Sequence, residues 1–494
     1  MGWSGEGRRG MTSSQSSVGA AHGASLSGAD WRALSDQLRG LLLPQDVLEG
    51  EELAQRPAAW GHQAACAARL LLRPRDTTQV SRILAACHAA GQPVVVHGGQ
   101  TGLVQGSVAR SHEVVLSLER MTAIEELDAT SSTLTAQAGA TLESIQQAAE
   151  SADLQFALDL GARGQCTIGG NIATNAGGNH VIKFGMTRAQ VLGLEAVLAD
   201  GTVVSDLSKM LKNNAGYDLK QLFIGSEGTL GVVTRAVLRL HPRARCVSTA
   251  FAAVEDFDRL TRFLAACRSG VGGALAAFEV LWEGFYRLVT TSPARNAPPL
   301  EYGSPYYVIV EAYGSDPARD PESFAAVVGA CIDDGTIVDS VLATTASERR
   351  RIWAMRDDVE QLARMAPIFT FDVSLPVATM ETYVEEVGRA LEERFESFQW
   401  VVFGHLGDGN LHLVVGVGDA SKEARRAVER CVYEPLRPRA GSVSAEHGIG
   451  LEKQPYLSWT RGPAEIELMR TLKRALDPRG ILNPGRVVPP ESGA

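Results

Sequence analysis

Two short stretches in the C-terminal half carry histidines and carboxylates at spacings that suit metal chemistry. Residues 404–412 read GHLGDGNLH, and residues 444–450 read SAEHGIG. His405 and His412 flank a glycine turn, so we expect them at the entry to a strand and within it. With Glu446 they form a set of two imidazoles and one carboxylate, which suits a borderline divalent ion with open coordination positions. Each histidine alone is more typical of a hydrogen-bonded structural residue, whereas the whole set favours a metal site.

The residue after the third candidate ligand is a candidate base. Histidine, whose ordinary pKa lies near neutrality, can take a proton from a hydroxyl group at cellular pH. This makes His447 the candidate general base of the chain. Asp408 is also acidic, but between Gly407 and Gly409 it is interpreted as a turn residue.

The elements that must position these groups include a long glycine-rich stretch in the N-terminal half. Residues 161–178 read GARGQCTIGGNIATNAGG, and residues 225–231 read GSEGTLG. Glycine allows the backbone to approach a flat ligand closely. A phosphate site alone would need only one glycine loop and a helix start. The length of the stretch, with short polar residues between its glycines, therefore favours a large, planar, partly buried cofactor over ordinary turns.

A second glycine loop lies upstream, where the apolar strand 93–96 (PVVV) leads into residues 97–103 (HGGQTGL). Successive backbone N–H groups in such a loop form an anion-binding nest. The loop is therefore a candidate site for an anionic group.

These motifs resemble the flavin-binding core of the vanillyl-alcohol-oxidase (PCMH) type family, and within it the D-2-hydroxy-acid dehydrogenases. The resemblance runs from about residue 64 to residue 488. It implies an α+β fold, with a PCMH-type FAD-binding domain and an α+β cap domain built on an antiparallel sheet. It also implies a divalent metal, usually zinc, at His405, His412 and Glu446.

The resemblance further assigns contacts to the cofactor. Members with a covalent flavin carry a histidine inside the first glycine loop, where this chain has Gln100 and Thr101, so non-covalent FAD is expected. The residues carried over as cofactor-binding are Gly98, Gly99, Gln100, Thr101, Gly102, Leu103, Gly161, Thr167, Gly169, Gly170, Asn171, Thr174, Asn175, Gly177, Gly178, Glu227, Gly228, Val233 and Asn483.

The activity implied is oxidation of a D-2-hydroxy acid to the 2-oxo acid, with hydride transfer to flavin N5. His447 would remove the hydroxyl proton and Arg356 would hold the C1 carboxylate, while Arg349, Arg350 and Arg351 are interpreted as a solvated helix face.

The substrate pocket departs from the D-2-hydroxyglutarate enzymes of the family. They carry threonine, lysine and asparagine where this chain has Glu360, Thr370 and Val414. Threonine at position 370 is also found in the D-lactate type. These differences favour a substrate without a distal negative charge, although the flavin domain resembles the hydroxyglutarate enzymes more closely.

The domain organisation expected from these motifs has four parts. Residues 1–28 form a disordered tail, in which Met11 is an alternative start to Met1, and residues 29–242 form the FAD-binding domain with its core at about 64–242. Residues 243–440 form the cap, with helices on one face of an antiparallel sheet. Residues 441–494 carry Glu446 and His447 and return to the first domain.

Composition narrows the functional classes. The net charge of −10 argues against nucleic acid as a partner. Seven scattered cysteines indicate reduced thiols in a cytoplasmic protein without an iron–sulfur cluster. No transmembrane segment is expected. Electrons must then leave to an acceptor outside the chain: a quinone, a cytochrome or an electron-transfer flavoprotein. The sequence is compatible with a homodimer. It also leaves two other functions open, a metallohydrolase and a non-catalytic flavoprotein subunit.

Overall fold

The computed structural model describes residues 26–59 and 64–489. Most of the predicted disordered tail, and Met11 with it, lies outside the described residues. Of that tail, Gly28 already belongs to the helix Gly28–Gly40, whose N-cap is Ser27. Among the described residues, no helix is long and apolar enough to cross a membrane. All seven cysteines are free thiols.

The N-terminal half contains two main sheets. A four-stranded sheet, parallel except for its first pair, has the strand order Val47–Leu48, Leu70–Leu72, Val114–Ser117, Val94–His97. A five-stranded antiparallel sheet has the order Ile124–Asp128, Thr133–Gln137, Val232–Arg239, Val191–Val197, Val203–Asp206. A short pair joins Leu154–Gln155 to His241–Pro242. The helices of this half are Gly28–Gly40, Gly50–Ala54, Thr77–Ala90, Leu142–Glu150, Ile168–Thr174, Val181–Phe184, Thr187–Gln190 and Lys220–Phe223.

Local sequence explains how the first glycine loop is positioned. Asp76 caps the helix Thr77–Ala90 by accepting a hydrogen bond from the Gln79 amide at 2.8 Å, and Gly91 ends the helix at a φ of 70°. The apolar side chains between these signals are buried at helical spacing. The chain then enters the buried strand Val94–His97, which delivers the loop at its carboxyl end.

The C-terminal half is built on one seven-stranded antiparallel sheet. Its strand order is Asp339–Ala343, Cys246–Val254, Tyr306–Gly314, Leu275–Trp282, Gln399–Gly404, Asn410–Gly416, Ile368–Ser374. The longer helices of this half are Phe257–Gly270, Glu283–Thr290, Asp320–Asp333, Ala346–Asp357, Met380–Arg394 and Lys422–Tyr433, and Leu457–Thr460 and Pro463–Leu476 follow towards the C-terminus.

The two faces of this sheet have different roles. One face packs against four of the helices in a large apolar core, with members such as Phe278 and Phe371. The opposite face also carries helices, Glu283–Thr290 and Ala346–Asp357, so the expected one-sided arrangement was wrong. Side chains alternate between faces along a strand, and the polar residues Glu279 and Asp372 alternate with the apolar members of the large core. Glu279 and Asp372 therefore lie on the face opposite that core, and this face carries the polar residues of the candidate site.

The C-terminal tail pairs with the N-terminal half. The Val94 amide donates to the Ile481 carbonyl at 2.8 Å, and the Asn483 amide donates to the Val94 carbonyl at 2.9 Å. Ile481 and Leu482 are members of the N-terminal core. The tail thus extends the edge of the four-stranded sheet beside the first glycine loop.

Candidate active site

The three candidate metal ligands lie together. Each of His405, His412 and Glu446 offers one ligand atom, and these atoms all lie within 4.8 Å of one another. The two imidazole Nε2 atoms face different oxygens of the Glu446 carboxylate, at 3.8 Å from His405 and 3.7 Å from His412. Gly404 and Gly409, with φ values of 156° and 89°, form the turn that brings the two histidines to one side. Asp408 is not a member of this group.

The two histidines differ electrostatically. Burial acts to lower the pKa of His405, but the charges on Glu279 and Glu446 outweigh it and raise the pKa to about 9. Burial, with the nearby positive charges of Arg356 and His405, holds the pKa of His412 well below its ordinary value. His405 Nδ1 lies 2.7 Å from Glu279 Oε1. A carboxylate on Nδ1 leaves Nε2 to face a cation, the common arrangement around histidine-bound metals.

Glu279 also contacts the candidate carboxylate-binding arginine. Arg356 Nε donates to Glu279 Oε2 at 3.0 Å, and Arg356 Nη2 lies 3.4 Å from His405 Nε2. Its guanidinium carbon lies 4.8 Å from the centre of the Phe403 ring. One buried carboxylate therefore orients both a metal ligand and the arginine. Sequence reasoning missed Glu279, since it stands alone in an apolar strand.

His447 has its own buried carboxylate. His447 Nδ1 lies 3.1 Å from Asp372 Oδ1, and Lys453 forms an ion pair with the same oxygen. Burial acts to raise the pKa of the Asp372 carboxyl, but His447 and Lys453 outweigh this effect and hold the pKa well below its ordinary value. Asp372, also missed from sequence, thus orients the imidazole of the candidate base and leaves Nε2 for a substrate.

The first glycine loop fits a pyrophosphate. Within the described part of the chain, no backbone N–H from Gly98 to Leu103 donates a hydrogen bond, which leaves the loop free to bind an anion. A Cβ at Gly99 would lie 2.1 Å from the Gln165 carbonyl, so the loop packs closely on the second glycine stretch. His97 Nε2 lies 2.7 Å from the Ser107 carbonyl, and burial lowers the pKa of His97 to about 4. His97 therefore has a structural role, and non-covalent attachment of a flavin stays a prediction.

The second glycine stretch forms the helix Ile168–Thr174 and the turn that follows. The buried atoms Thr167 Oγ1 and Asn171 Oδ1 have no hydrogen-bond partner among the described residues. Thr174 Oγ1 donates to the Gly170 carbonyl at 3.0 Å. Other residues predicted to bind the cofactor lie in this stretch: Gly161, Gly169, Asn175 with a φ of 50°, Gly177 and Gly178. Val233, which is also predicted to bind it, lies in the N-terminal core.

Two predicted cofactor residues instead connect parts of the protein. The Glu227 carboxylate accepts hydrogen bonds from the Ile449 and Gly450 amides. Asn483 Oδ1 accepts from the Val96 amide at 2.9 Å, and its Nδ2 donates to the Glu227 carbonyl at 2.6 Å. A Cβ at Gly228 would lie 2.7 Å from Asn483 Nδ2. These contacts join the first glycine loop, the 225–231 turn and the segment that carries His447.

The candidate chemistry lies directly against the glycine stretch. A Cβ at Gly177 would lie 2.7 Å from Glu446 Oε1, and a Cβ at Gly407 would lie 2.8 Å from the Ile182 side chain. His180 Nε2 lies 3.0 Å from the Tyr313 hydroxyl. The candidate metal ligands of the C-terminal half therefore lie against the glycine-rich stretch of the N-terminal half that is assigned to the cofactor.

Two other predicted residues have informative surroundings. Thr370 is exposed and lies two residues before Asp372 on the same strand, hence on the same face of the sheet. Arg349 is not simply solvated, because it forms two hydrogen bonds of 2.7 Å with the buried Glu311 carboxylate. The interpretation of Arg349 as a solvated residue was therefore wrong, whereas Arg350 and Arg351 are exposed.

Comparison with known proteins identifies the family. Residues 68–206 match the FAD binding domain family, and residues 243–487 match the family of FAD linked oxidases, C-terminal domain. The chain is 39% identical over 444 residues to the mitochondrial D-2-hydroxyglutarate dehydrogenase of Bos taurus, an alignment that covers 90% of this chain and 81% of the relative. The chain belongs to the FAD-linked oxidase family. This FAD-linked oxidase is also 39% identical to a D-2-hydroxyglutarate dehydrogenase of Xanthomonas citri pv. viticola, over 84% of this chain and 88% of the relative.

The fold prediction is confirmed. The structure of p-cresol methylhydroxylase with substrate bound superposes with a TM-score of 0.75 at 16% identity, over 93% of this chain and 97% of that one. The FAD-linked oxidase thus has a PCMH-type FAD-binding domain followed by a domain with a large antiparallel sheet. It is an oxidoreductase of the D-2-hydroxy-acid dehydrogenase type. This membership disfavours a metallohydrolase.

Proposed function

We propose that this enzyme oxidises a D-2-hydroxy acid to the 2-oxo acid with non-covalent FAD and a divalent metal, zinc by expectation, at His405, His412 and Glu446. The single observation that supports this proposal most is the contact of Glu446 with Gly177. It brings the candidate metal ligands, and the neighbouring base His447, against the glycine-rich stretch 161–178 that is assigned to the cofactor. When bound, FAD supplies a two-electron acceptor and the metal supplies a Lewis acid.

The protein residues divide the remaining tasks. Arg356 binds the C1 carboxylate through Nη1, because Nε donates to Glu279 and Nη2 lies 3.4 Å from His405 Nε2. His447 removes the proton of the C2 hydroxyl through Nε2, while Asp372 holds Nδ1. Reoxidation then requires an acceptor outside the chain: a quinone, a cytochrome or an electron-transfer flavoprotein. A cytoplasmic location and a homodimer remain predictions.

The proposed substrate has no distal negative charge. Thr370 pairs with Val414 on the neighbouring strand, and Val414 pairs in turn with Val401 on the strand beyond it. Val414 is buried in an apolar cluster, and Glu360, which follows Arg356 closely in sequence, is exposed. With neutral side chains at positions 370 and 414, a second carboxylate on the substrate would find no cation there, which disfavours it by roughly a few kcal/mol in a partly desolvated pocket. The names of the relatives point to D-2-hydroxyglutarate, so the distinction needs a direct test.

Anaerobic titration of the purified enzyme with D- and L-2-hydroxy acids tests the function and its selectivity. We expect D-acids with neutral side chains to bleach the flavin, L-acids to have no effect, and D-2-hydroxyglutarate to be at least about tenfold poorer in kcat/KM. Bleaching by no hydroxy acid would favour the non-catalytic subunit, and a colourless protein would favour the metallohydrolase. The double variant T370K/V414N should improve kcat/KM for D-2-hydroxyglutarate, whereas T370M/V414N, which adds no charge, should not.

A further inference from the structure

The segment of residues 444–450, which carries Glu446 and His447, is held through its backbone by two carboxylates, those of the buried Asp372 and the partly buried Glu227. From the seven-stranded sheet, Asp372 Oδ2 accepts hydrogen bonds from three consecutive amides, those of Ala445, Glu446 and His447, at 3.0, 2.8 and 3.0 Å. Charged acceptors of this kind make strong hydrogen bonds, because each donated N–H faces a full negative charge. The first half of the segment is thereby fixed to the cap.

The second half of the segment is fixed to the FAD-binding domain by Glu227. Its Oε1 accepts from the Ile449 amide at 2.6 Å, and its Oε2 accepts from the Gly450 amide at 2.8 Å. Gly448 has a φ of 83°, and a Cβ there would lie 2.7 Å from Glu227 Oε1. A side chain at position 448 would therefore strain the backbone and displace the Glu227 carboxylate.

Glu227 is itself firmly anchored in the cofactor domain. Its amide donates to the Ala173 carbonyl at 2.7 Å, which ties it to the helix Ile168–Thr174. Its carbonyl accepts from Asn483 Nδ2 at 2.6 Å. A displacement of Glu227 would thus move the segment relative to the glycine stretch, even though Glu227 contacts neither His447 nor Glu446 through its side chain in the described contacts.

We propose that Glu227 is a positioning residue that sets the distance between His447 and the flavin, an inference that rests on the proposed function. Each oxygen of the side-chain carboxylate accepts a hydrogen bond from an amide of the 444–450 segment, so the carboxylate serves to hold this segment. A glutamine at this position would present an N–H group to one of the two amides. That mismatch releases one end of the segment while the backbone contacts of residue 227 to the cofactor domain remain.

The variant E227Q tests the proposal, with E195Q as a matched control, because Glu195 is also a carboxylate of the FAD-binding domain but accepts hydrogen bonds from Thr77 and Thr234 there. In E227Q we expect normal flavin content, an unchanged Kd for the hydroxy acid, and a limiting rate of flavin reduction lowered by about 100-fold. Backbone amide exchange should accelerate in the peptide covering residues 444–450. E195Q should retain the wild-type reduction rate and the wild-type exchange of that peptide.

The outcomes separate this inference from the proposed function. Loss of flavin from E227Q, or a wild-type reduction rate and exchange pattern in E227Q, would overturn the positioning role. If no hydroxy acid reduces the wild-type enzyme, the proposed function fails, yet exchange still decides whether Glu227 holds the segment. Should E227Q fail to fold, G448A displaces the same contact from the other side and should give the same loss of rate and of protection.

Discussion

The variant H447A is expected to keep its flavin and to reduce it about 10²–10⁴-fold more slowly with a D-2-hydroxy acid. The imidazole pairs with Asp372 on the site-facing side of the sheet, and His447 is not among the residues predicted to bind the flavin. Loss of the base leaves the hydroxyl proton without an acceptor as hydride leaves C2. Stopped-flow absorbance of the flavin under anaerobic conditions measures the rate, and the flavin-to-protein ratio checks binding.

A histidine outside the site provides the control for this prediction. His88 lies in the last turn of the helix Thr77–Ala90, and H88A should reduce at the wild-type rate. A wild-type rate in H447A would mean that another group takes the proton. In that event the pairing of Asp372 with His447 would have only a structural role.

Removal of a metal ligand should have the second large effect. H412A is expected to lose most of its bound metal and to reduce flavin about 1000-fold more slowly, equivalent to ~4 kcal/mol of transition-state stabilisation. The imidazole of His412 is suited to a cation because burial and its positive neighbours keep it neutral. Elemental analysis measures the metal content, and stopped-flow absorbance measures the rate.

Asp408 is the matched control for the metal prediction. It lies between the two histidines in sequence but outside the group of converging ligand atoms. D408N should therefore retain the metal and the reduction rate. Full metal content in H412A, or loss of metal in D408N, would show that the cation is held by a different set of residues.

Much of the FAD-binding domain could be predicted from sequence because its signals are local. Asp76 and Gly91 mark both ends of one helix, and an apolar strand followed by glycines marks the first loop. In the cap, the strand Leu275–Trp282 was missed, because it is buried along nearly its whole length and shows no alternation. Helices on both faces of the sheet remove the polar positions that would otherwise reveal its period.

Part of the candidate site could also be predicted from sequence, because its signals are local too. His405, His412 and Glu446 stand in recognisable glycine-bounded motifs, and the structure brings them together. Glu279 and Asp372 were missed, because each is a single acidic residue in an apolar strand and acquires its role only from distant partners. Glu227 was assigned to the cofactor through its motif, whereas its carboxylate contacts amides more than 200 residues away. Such contacts depend on tertiary structure and leave no local pattern.

The most direct test of metal-assisted hydride transfer follows flavin reduction by a D-2-hydroxy acid carrying deuterium at C2, before and after removal of the metal by a chelator. We expect bleaching that is several-fold slower with deuterium than with hydrogen, is lost on chelation and returns when the divalent metal is added back. Bleaching by L-isomers alone, or at the same rate with and without chelator, would contradict it.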